Sequence, residues 1–327
     1  MLPGSNFLAF AAAAAAAAAW TPTAAPDRIG AELSALRETA RTRGEALWPG
    51  YGAAPFGFLL VHGEHEMLLC HPNMPAGFAR DGSDAATGCD RFVRPRSGLS
   101  DTLLAAMPLF GPPSTIVMGT PETTGLSPAR WRSTIFHEHF HQWQSDLPDY
   151  YARVAALDLA GGDQSGMWML NFAFPYDQPE VAAAYVAAAG ALLAAIEARG
   201  SDAFRTRLAD YAERRRAFAA AAGERNWRYL DFQLWQEGVA RWTEIALGRG
   251  STDAAMRAEA EARETELLAG LRRPDLARQQ RLVAYPMGAG EAMLLEACGP
   301  GWRARYPSLL ALGPLIDAAA RACVASG

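Results

Sequence analysis

The spacing of hydrophobic positions divides the chain into a first part with short apolar runs and a longer part with a helical repeat. Two apolar runs, 58–61 and 67–70, flank the polar residues His62-Gly-Glu-His65, which predicts a β-hairpin with a glycine-containing turn. The run at 115–118 predicts a third strand. Residues 72–100 lack periodicity, are rich in Gly, Asp, Asn and Pro, and predict a loop.

Most of the remaining chain has apolar residues at helical spacing, bounded by glycine and proline. The predicted helices are 27–46, 178–199, 202–222, 225–249, 253–270 and 305–323. The alanine-rich part at 182–197 is interpreted as a packed helix rather than a membrane span, because charged and aromatic residues bound it closely. Strands followed by helices predict the fold class α+β, mostly α.

The segment after the third strand carries the clearest helix signal. Ser127, followed by a proline at the first helical position, predicts the start of a helix, and a second proline at 148 predicts its end. Aromatic residues recur between these points on one apolar face: Phe136, Phe140 and Trp143.

This helix contains an H-E-x-x-H motif formed by His137, Glu138 and His141. Two histidines four residues apart on a helix point to one side, where both can bind one Zn²⁺. Glu138 lies between them and is expected to act as the general base on a water molecule. His139 points to nearly the opposite side, so it cannot share a metal with the other two.

The composition is that of a globular protein, with 50% hydrophobic and 20% charged residues. The length suits a single catalytic domain at 26–327, with an N-terminal lobe at 26–147 and a helical lobe at 148–327. The net charge of -5 gives no electrostatic basis for binding nucleic acid.

Residues 1–25 are interpreted as a signal peptide or N-terminal anchor. The apolar run from Phe7 to Trp20, about fourteen residues, is too short to span a bilayer comfortably but suits a signal sequence, although no basic residue precedes it. All the basic residues are arginine, which indicates a GC-rich, bacterial genome. We therefore expect a periplasmic or extracellular protein, or one anchored by an uncleaved leader, with no other stable membrane partner.

The four cysteines form two local pairs along the chain, Cys70 with Cys89 and Cys298 with Cys323. Two disulfide bonds would agree with export, and buried free thiols are the alternative. The sequence contains no C-x-x-C, so a cysteine zinc site is not expected.

A catalytic zinc usually has three protein ligands, and the remaining histidines all lie upstream in the hairpin region. A downstream carboxylate is therefore sought as the third ligand, and Glu237 is our choice. It lies on a helix face that leucines also cover, where a carboxylate needs a partner, and the adjacent Gly238 would permit close approach of another helix. A solvated Glu237–Arg241 ion pair is the alternative. The weaker candidate ligands are Asp146, Asp149, Glu244 and Glu291.

The motif His137-Glu138-x-x-His141, together with Glu237-Gly-x-Ala-Arg241 on a later helix, resembles the gluzincin class of zinc metallopeptidases, especially uncharacterised bacterial members. The specific match covers two helices, about forty residues. The resemblance implies a zincin-like fold with a cleft between two lobes, one Zn²⁺, and hydrolysis of peptide or protein substrates. Thermolysin-like enzymes carry an Asp where this chain has Arg241, so the supporting role of that Asp must be reassigned, with Glu244 as the candidate.

The expected mechanism is zinc-dependent peptide-bond hydrolysis by a water that the metal activates, with His137, His141 and Glu237 as ligands. Tyr285, on a glycine-broken segment downstream, is a candidate catalytic residue that would stabilise the oxyanion, and Arg241 is an equal candidate. Two rival interpretations remain open. One is an inactive zincin-like binding protein of the cell envelope, and the other is a zinc hydrolase of a non-peptide amide or ester.

Overall fold

The computed structural model describes the backbone of residues 24–325 and the side chains of residues 28–322. The leader predicted at 1–25 thus falls almost entirely outside the described residues. Strands β1 to β6 are Phe58–His62, His65–Leu69, Ala79–Ser83, Asp90–Pro95, Leu104–Met107 and Thr115–Met118. Helices α1 to α15 are Ala24–Thr39, Glu45–Leu47, Pro121–Thr124, Pro128–Ser145, Tyr150–Ala155, Trp168–Asn171, Pro179–Glu197, Phe204–Ala222, Glu224–Gln233, Val239–Arg249, Ala254–Arg272, Leu276–Gln279, Ala284–Ala297, Trp302–Arg305 and Gly313–Ala325.

The six strands form one mixed sheet in the order β3-β4-β2-β1-β6-β5, in which only the β1–β6 pair is parallel. The predicted hairpin is confirmed as β1 and β2, and Gly63 in its turn has a φ of 56°. Leu60 of β1 belongs to the large core beneath the helices, whereas Leu59 and Val61 belong to a smaller cluster on the other face. Because both faces of β1 are covered, its sequence is continuously apolar rather than alternating.

The prediction of a loop at 72–100 is wrong at 79–83 and 90–95, which form the antiparallel strands β3 and β4. Most residues of these strands are partly or fully exposed, so the alternation of apolar residues is weak. Arg94 of β4 places Nε 2.6 Å from Oε2 of the fully buried Glu66 on β2. Arg94 therefore forms an ion pair between two strands of the sheet and does not indicate a loop.

Helix α4 begins and ends close to where the sequence predicts. The side chain of Ser127 accepts a hydrogen bond from the backbone N–H of Arg130, and the helix ends at Ser145. Nε2 of Gln142 donates to the carbonyl oxygens of Gly57 and Ser114, which lie just before β1 and β6. These two bonds fix the second half of the motif helix against the sheet.

Four of the helices predicted for the second part of the chain are confirmed. Helices α7, α8 and α11 correspond to 178–199, 202–222 and 253–270, and α9 together with α10 corresponds to 225–249. The helix predicted at 305–323 begins only at Gly313 as α15. Helices α9 and α10 are continuous through a π-helical turn, Leu234–Gly238. Among the described helices, α7 alone is long and apolar enough to cross a membrane by length and composition. Core helices of other proteins also meet these two criteria, and 44% of the apolar window in α7 is buried.

The glycine-broken segment predicted around Tyr285 is instead the regular helix α13. Its glycines serve packing: a Cβ on Gly288 would lie 2.4 Å from the carbonyl oxygen of Leu234. A Cβ on Gly290 would lie 3.0 Å from atoms of Leu192 and Ile196 on α7. Glycine is needed here for close helix contact rather than for a break in the helix.

The predicted disulfide between Cys70 and Cys89 is present. Nη1 of Arg37 on α1 lies 3.4 Å and 3.1 Å from its two sulfur atoms. The second predicted bridge, Cys298 to Cys323, falls outside the described side chains because of Cys323.

Candidate metal centre

The predicted ligands converge on one point between two helices. Helix α4 supplies His137 and His141, and the π-helical turn supplies Glu237. The Nε2 atoms of the two histidines are 3.1 Å apart, and Oε2 of Glu237 lies 3.3 Å from the first and 3.4 Å from the second. Within the described residues, this is the group of three His, Cys, Asp or Glu side chains whose donor atoms are close enough to hold a metal ion.

These distances fit a shared metal ion. Ligand atoms at about 2.0–2.1 Å from a tetrahedral Zn²⁺ lie about 3.3 Å from one another. The three observed separations of 3.1, 3.3 and 3.4 Å are close to that value. Two imidazole nitrogens and one carboxylate oxygen can therefore hold a metal ion without a large rearrangement of side chains.

The second ring nitrogen of each histidine faces an acceptor oxygen. Nδ1 of His141 lies 2.7 Å from Oε1 of Gln144, and Nδ1 of His137 lies 3.3 Å from Oε2 of Glu244. Neither His137 Nδ1 nor Glu244 Oε2 has a hydrogen-bond partner among the described residues, so no other group competes for either atom. An acceptor at Nδ1 favours the proton on that nitrogen, which leaves the Nε2 lone pair free for a metal.

Gln144 contacts His141, and the sequence alone did not indicate this contact. Its Nε2 donates to the hydroxyl oxygen of Tyr306 at 2.6 Å and to the carbonyl oxygen of Gln236 at 3.2 Å, so its Oε1 must face His141. Tyr306 in turn donates to the carbonyl oxygen of Trp235. Gln144 lies three residues after His141 on α4, and this spacing is the signal that could have indicated the contact.

Glu244, the candidate for the reassigned supporting role, lies next to His137. Its Oε1 accepts from Nη1 of Arg241, with Nε of Arg263 3.2 Å away, while Oε2 faces His137. The alternative ion pair between Glu237 and Arg241 is not formed, because Arg241 pairs with Glu244. The nearby cations and His137 lower the pKa of Glu244 to about 2 despite its burial.

Glu138 lies beside the ligands without a partner of its own. The residue is 7% exposed, and no hydrogen bond or ion pair engages its carboxylate within residues 28–322. Neither carboxylate oxygen is among the buried polar atoms that lack a hydrogen-bond partner, so the carboxylate reaches solvent-accessible space. Glu138 lies between His137 and His141 in the sequence, so it could accept a proton from a water molecule near them.

Tyr285 is brought to the cluster by α13. Its ring stacks on His137 with centroids 5.7 Å apart and an interplanar angle of 25°. The guanidinium carbons of Arg241 and Arg281 lie 5.1 Å and 5.9 Å from the Tyr285 ring centre. Burial, and then the charge of Glu237, raise the pKa of Tyr285, so its hydroxyl keeps its proton at neutral pH.

The cluster is arranged to attract positive charge. Burial opposes protonation of His137, but its contacts with Glu237 and Glu244 raise its pKa to about 9. Burial likewise opposes ionisation of Glu237, yet the neighbouring His141 and His137 hold its pKa well below the usual range. A proton and a metal ion would compete for the same nitrogens, so metal affinity should fall with falling pH.

The helix crossing beside Glu237 is unusually close. A Cβ on Gly238 would lie 2.4 Å from Cα of Gly288 on α13, so the expectation that Gly238 permits close approach of another helix is confirmed. This crossing sets α13, and with it Tyr285, against the turn that carries Glu237. A π-helical turn is rare and occurs often at functional sites.

The other candidates lie elsewhere. His139 points away from the cluster, toward Oε1 of Gln142 and the carbonyl oxygen of Tyr51, and burial lowers its pKa to about 4. Glu291 pairs with Arg215 in a separate buried network. The acidic residues at the ends of α4 and α5, Asp146 and Asp149, are not part of the cluster.

Comparison of the chain with protein-family models, with curated proteins and with solved structures returns no match.

Proposed function

We propose that the protein is a gluzincin-type zinc peptidase with a zincin-like arrangement of sheet and helices. The observation that carries the proposal is the convergence of His137 Nε2, His141 Nε2 and Glu237 Oε2, with an acceptor oxygen facing each Nδ1 atom. Two imidazoles and one carboxylate are a donor set typical of catalytic zinc.

A Zn²⁺ held by these residues would polarise a carbonyl group and lower the pKa of water. Glu138 is the general base, since its carboxylate has no competing partner among the described residues and is accessible to water. It accepts the proton of the attacking water and later delivers it to the leaving amine. Tyr285 is the oxyanion donor, because its ring lies against His137 and its hydroxyl is protonated at neutral pH.

The sheet supports a peptide as the substrate. Strand β5 is one of the two edge strands of the sheet, and α4 packs against it. A strand at the edge of a sheet has backbone groups free to pair with an extended peptide, which main-chain hydrogen bonds would align beside the motif helix. A small non-peptide ester or amide would not use this edge.

The unpartnered Glu138 also favours catalysis over the rival interpretation as an inactive binding protein. Binding a metal requires the two histidines and Glu237, but it does not require a base between the histidines. We further propose that the protein acts outside the cytoplasm, because the Cys70–Cys89 disulfide agrees with an oxidising compartment.

The test is metal analysis of the purified protein together with hydrolysis assays on an unfolded protein and on short peptides. We expect about one equivalent of zinc, and hydrolysis that a chelator abolishes and added zinc restores. Zinc without hydrolysis of any peptide, but with cleavage of a simple ester or amide, would favour the non-peptide hydrolase. Absence of bound metal would reject the proposal.

A further inference from the structure

The two carboxylate oxygens of Glu237 have different partners. Oε2 faces the Nε2 atoms of His137 and His141 at 3.3 Å and 3.4 Å. Oε1 accepts a hydrogen bond from Nη1 of Arg281 at 3.1 Å. One oxygen is therefore directed to the metal cluster and the other is held by a cation.

Arg281 is itself fixed in place. Its Nη1 also lies 3.3 Å from Oε1 of Gln233, a buried residue one helical turn before Glu237. Its guanidinium carbon lies 5.9 Å from the ring centre of Tyr285, and the side chain is 21% exposed. The two hydrogen bonds of Nη1 and the neighbouring ring hold the guanidinium beside Glu237.

The backbone that delivers Arg281 is strained. Gln280, the residue before it, has φ 47° and ψ −130°, a conformation that residues other than glycine rarely adopt. Such strain persists where the surrounding structure enforces it, and it is concentrated at functional sites. The strained residue starts the 3-10 turn Gln280–Val283, which directly precedes α13 and Tyr285.

We propose that Arg281 is a positioning residue that reserves Oε1 of Glu237, so that this carboxylate presents only Oε2 to a metal ion. A carboxylate can otherwise use both oxygens on one metal. With Arg281 in place the chain offers three ligand atoms, which leaves a position open for water or substrate. The inference rests on the metal site of the proposed function, and it assigns a role to a residue outside the ligand set.

The test compares Arg281→Ala and Arg281→Lys with the unaltered protein after loading with Co²⁺, whose visible absorption weakens as the coordination number rises. We expect Arg281→Ala to keep one equivalent of metal, to absorb less strongly, and to hydrolyse substrate about 10- to 100-fold more slowly. Lysine also carries a cation that can hold Oε1, so Arg281→Lys should recover most of the absorption. Arg278→Ala, an exposed arginine three residues earlier, is the matched control and should match the unaltered protein.

An absorption spectrum of Arg281→Ala identical to that of the unaltered protein would overturn the inference. Loss of the metal from Arg281→Ala would also overturn it, because Arg281 would then hold Glu237 in place rather than reserve one of its oxygens. Weakened absorption in a protein that hydrolyses no peptide would support the inference while rejecting peptidase activity. The spectral and kinetic measurements therefore separate the two failures.

Discussion

At the scale of single residues, His137 is the centre of the site because both of its ring nitrogens face carboxylates. Glu237 lies on the Nε2 side and Glu244 on the Nδ1 side. The two glutamates are seven residues apart on one helix, so they lie on the same side of it and reach opposite edges of the imidazole. We infer a division of roles between a ligand and a residue that orients a ligand.

That division predicts different outcomes for two alanine variants. Glu237→Ala removes a ligand atom and should abolish stoichiometric zinc binding. Glu244→Ala leaves all three ligand atoms and should weaken zinc affinity by about 10- to 100-fold, the usual effect of losing a hydrogen-bond partner of a ligand. Competition with a chromophoric chelator measures both affinities. Equal loss of zinc in the two variants would contradict the assignment.

Glu138 should separate binding from catalysis. Glu138→Gln keeps the size of the side chain but cannot accept a proton, so hydrolysis should fall by about 100-fold or more while zinc remains near one equivalent. His137→Ala is the comparison, since it should lose the metal itself. Zinc analysis and kcat measured on the same preparations check the prediction. An empty site in Glu138→Gln would show that Glu138 is a ligand.

At the scale of secondary-structure elements, the site depends on one helix crossing. The π-helical turn Leu234–Gly238 and α13 approach each other at Gly238 and Gly288, which places Glu237 and Tyr285 on facing backbones. The contact involves backbone atoms on both sides, so neither helix can yield by rotating a side chain. Stability and site geometry therefore depend on the same pair of glycines.

Two glycine-to-alanine variants test this crossing. A Cβ at Gly238 would meet Cα of Gly288 at 2.4 Å, so Gly238→Ala should destabilise the protein by about 1–3 kcal/mol and reduce metal affinity. Gly190 occupies an exposed position of α7 where an added Cβ would meet no atom within 4 Å, so Gly190→Ala should stabilise the protein by about 0.5–1 kcal/mol. Urea unfolding gives both values. An unchanged free energy of unfolding in Gly238→Ala would show that the two helices can move apart at this crossing.

At the scale of the whole molecule, the strand-rich first part is held partly by a covalent bond. The Cys70–Cys89 disulfide joins the end of β2 to the start of β4 across 19 positions of sequence, and this loop contains the exposed strand β3. Arg37 on α1 contacts both sulfur atoms, so the bond also lies against the first helix. Few apolar residues anchor the loop, so the bond restrains it where packing is sparse.

Removing this bond should lower the free energy of unfolding by about 3 kcal/mol, the value expected for a loop of about this length. We expect Cys70→Ala/Cys89→Ala to unfold at lower urea concentration, and reduction of the unaltered protein to produce a similar shift. The candidate metal ligands lie on α4 and the π-helical turn, away from this bond in sequence, so zinc binding should be retained. Alkylation of both thiols in the non-reduced native protein would contradict the bond.

The sequence alone predicted those features that depend on local spacing. The helix that begins at Pro128, the hairpin of β1 and β2, and the orientation of His137 and His141 each follow from a short periodic pattern or a capping residue. Polar strands β3 and β4 gave no such pattern, because only part of each strand is buried. The glycines of α13 were interpreted as a break in the helix for a related reason. They permit close contact with another helix, and the local sequence carries no information on that contact.

Only the tertiary structure decided which groups meet at the site. The sequence placed Glu237 and Glu244 on the same helix face, and only the fold places one at each edge of His137. Gln144 and Arg281 were missed because their roles depend on partners far along the chain, Tyr306 and Glu237. The sequence determined the chemical groups and their local directions. Long-range packing determined which oxygen faces which nitrogen, because those distances depend on several elements at once.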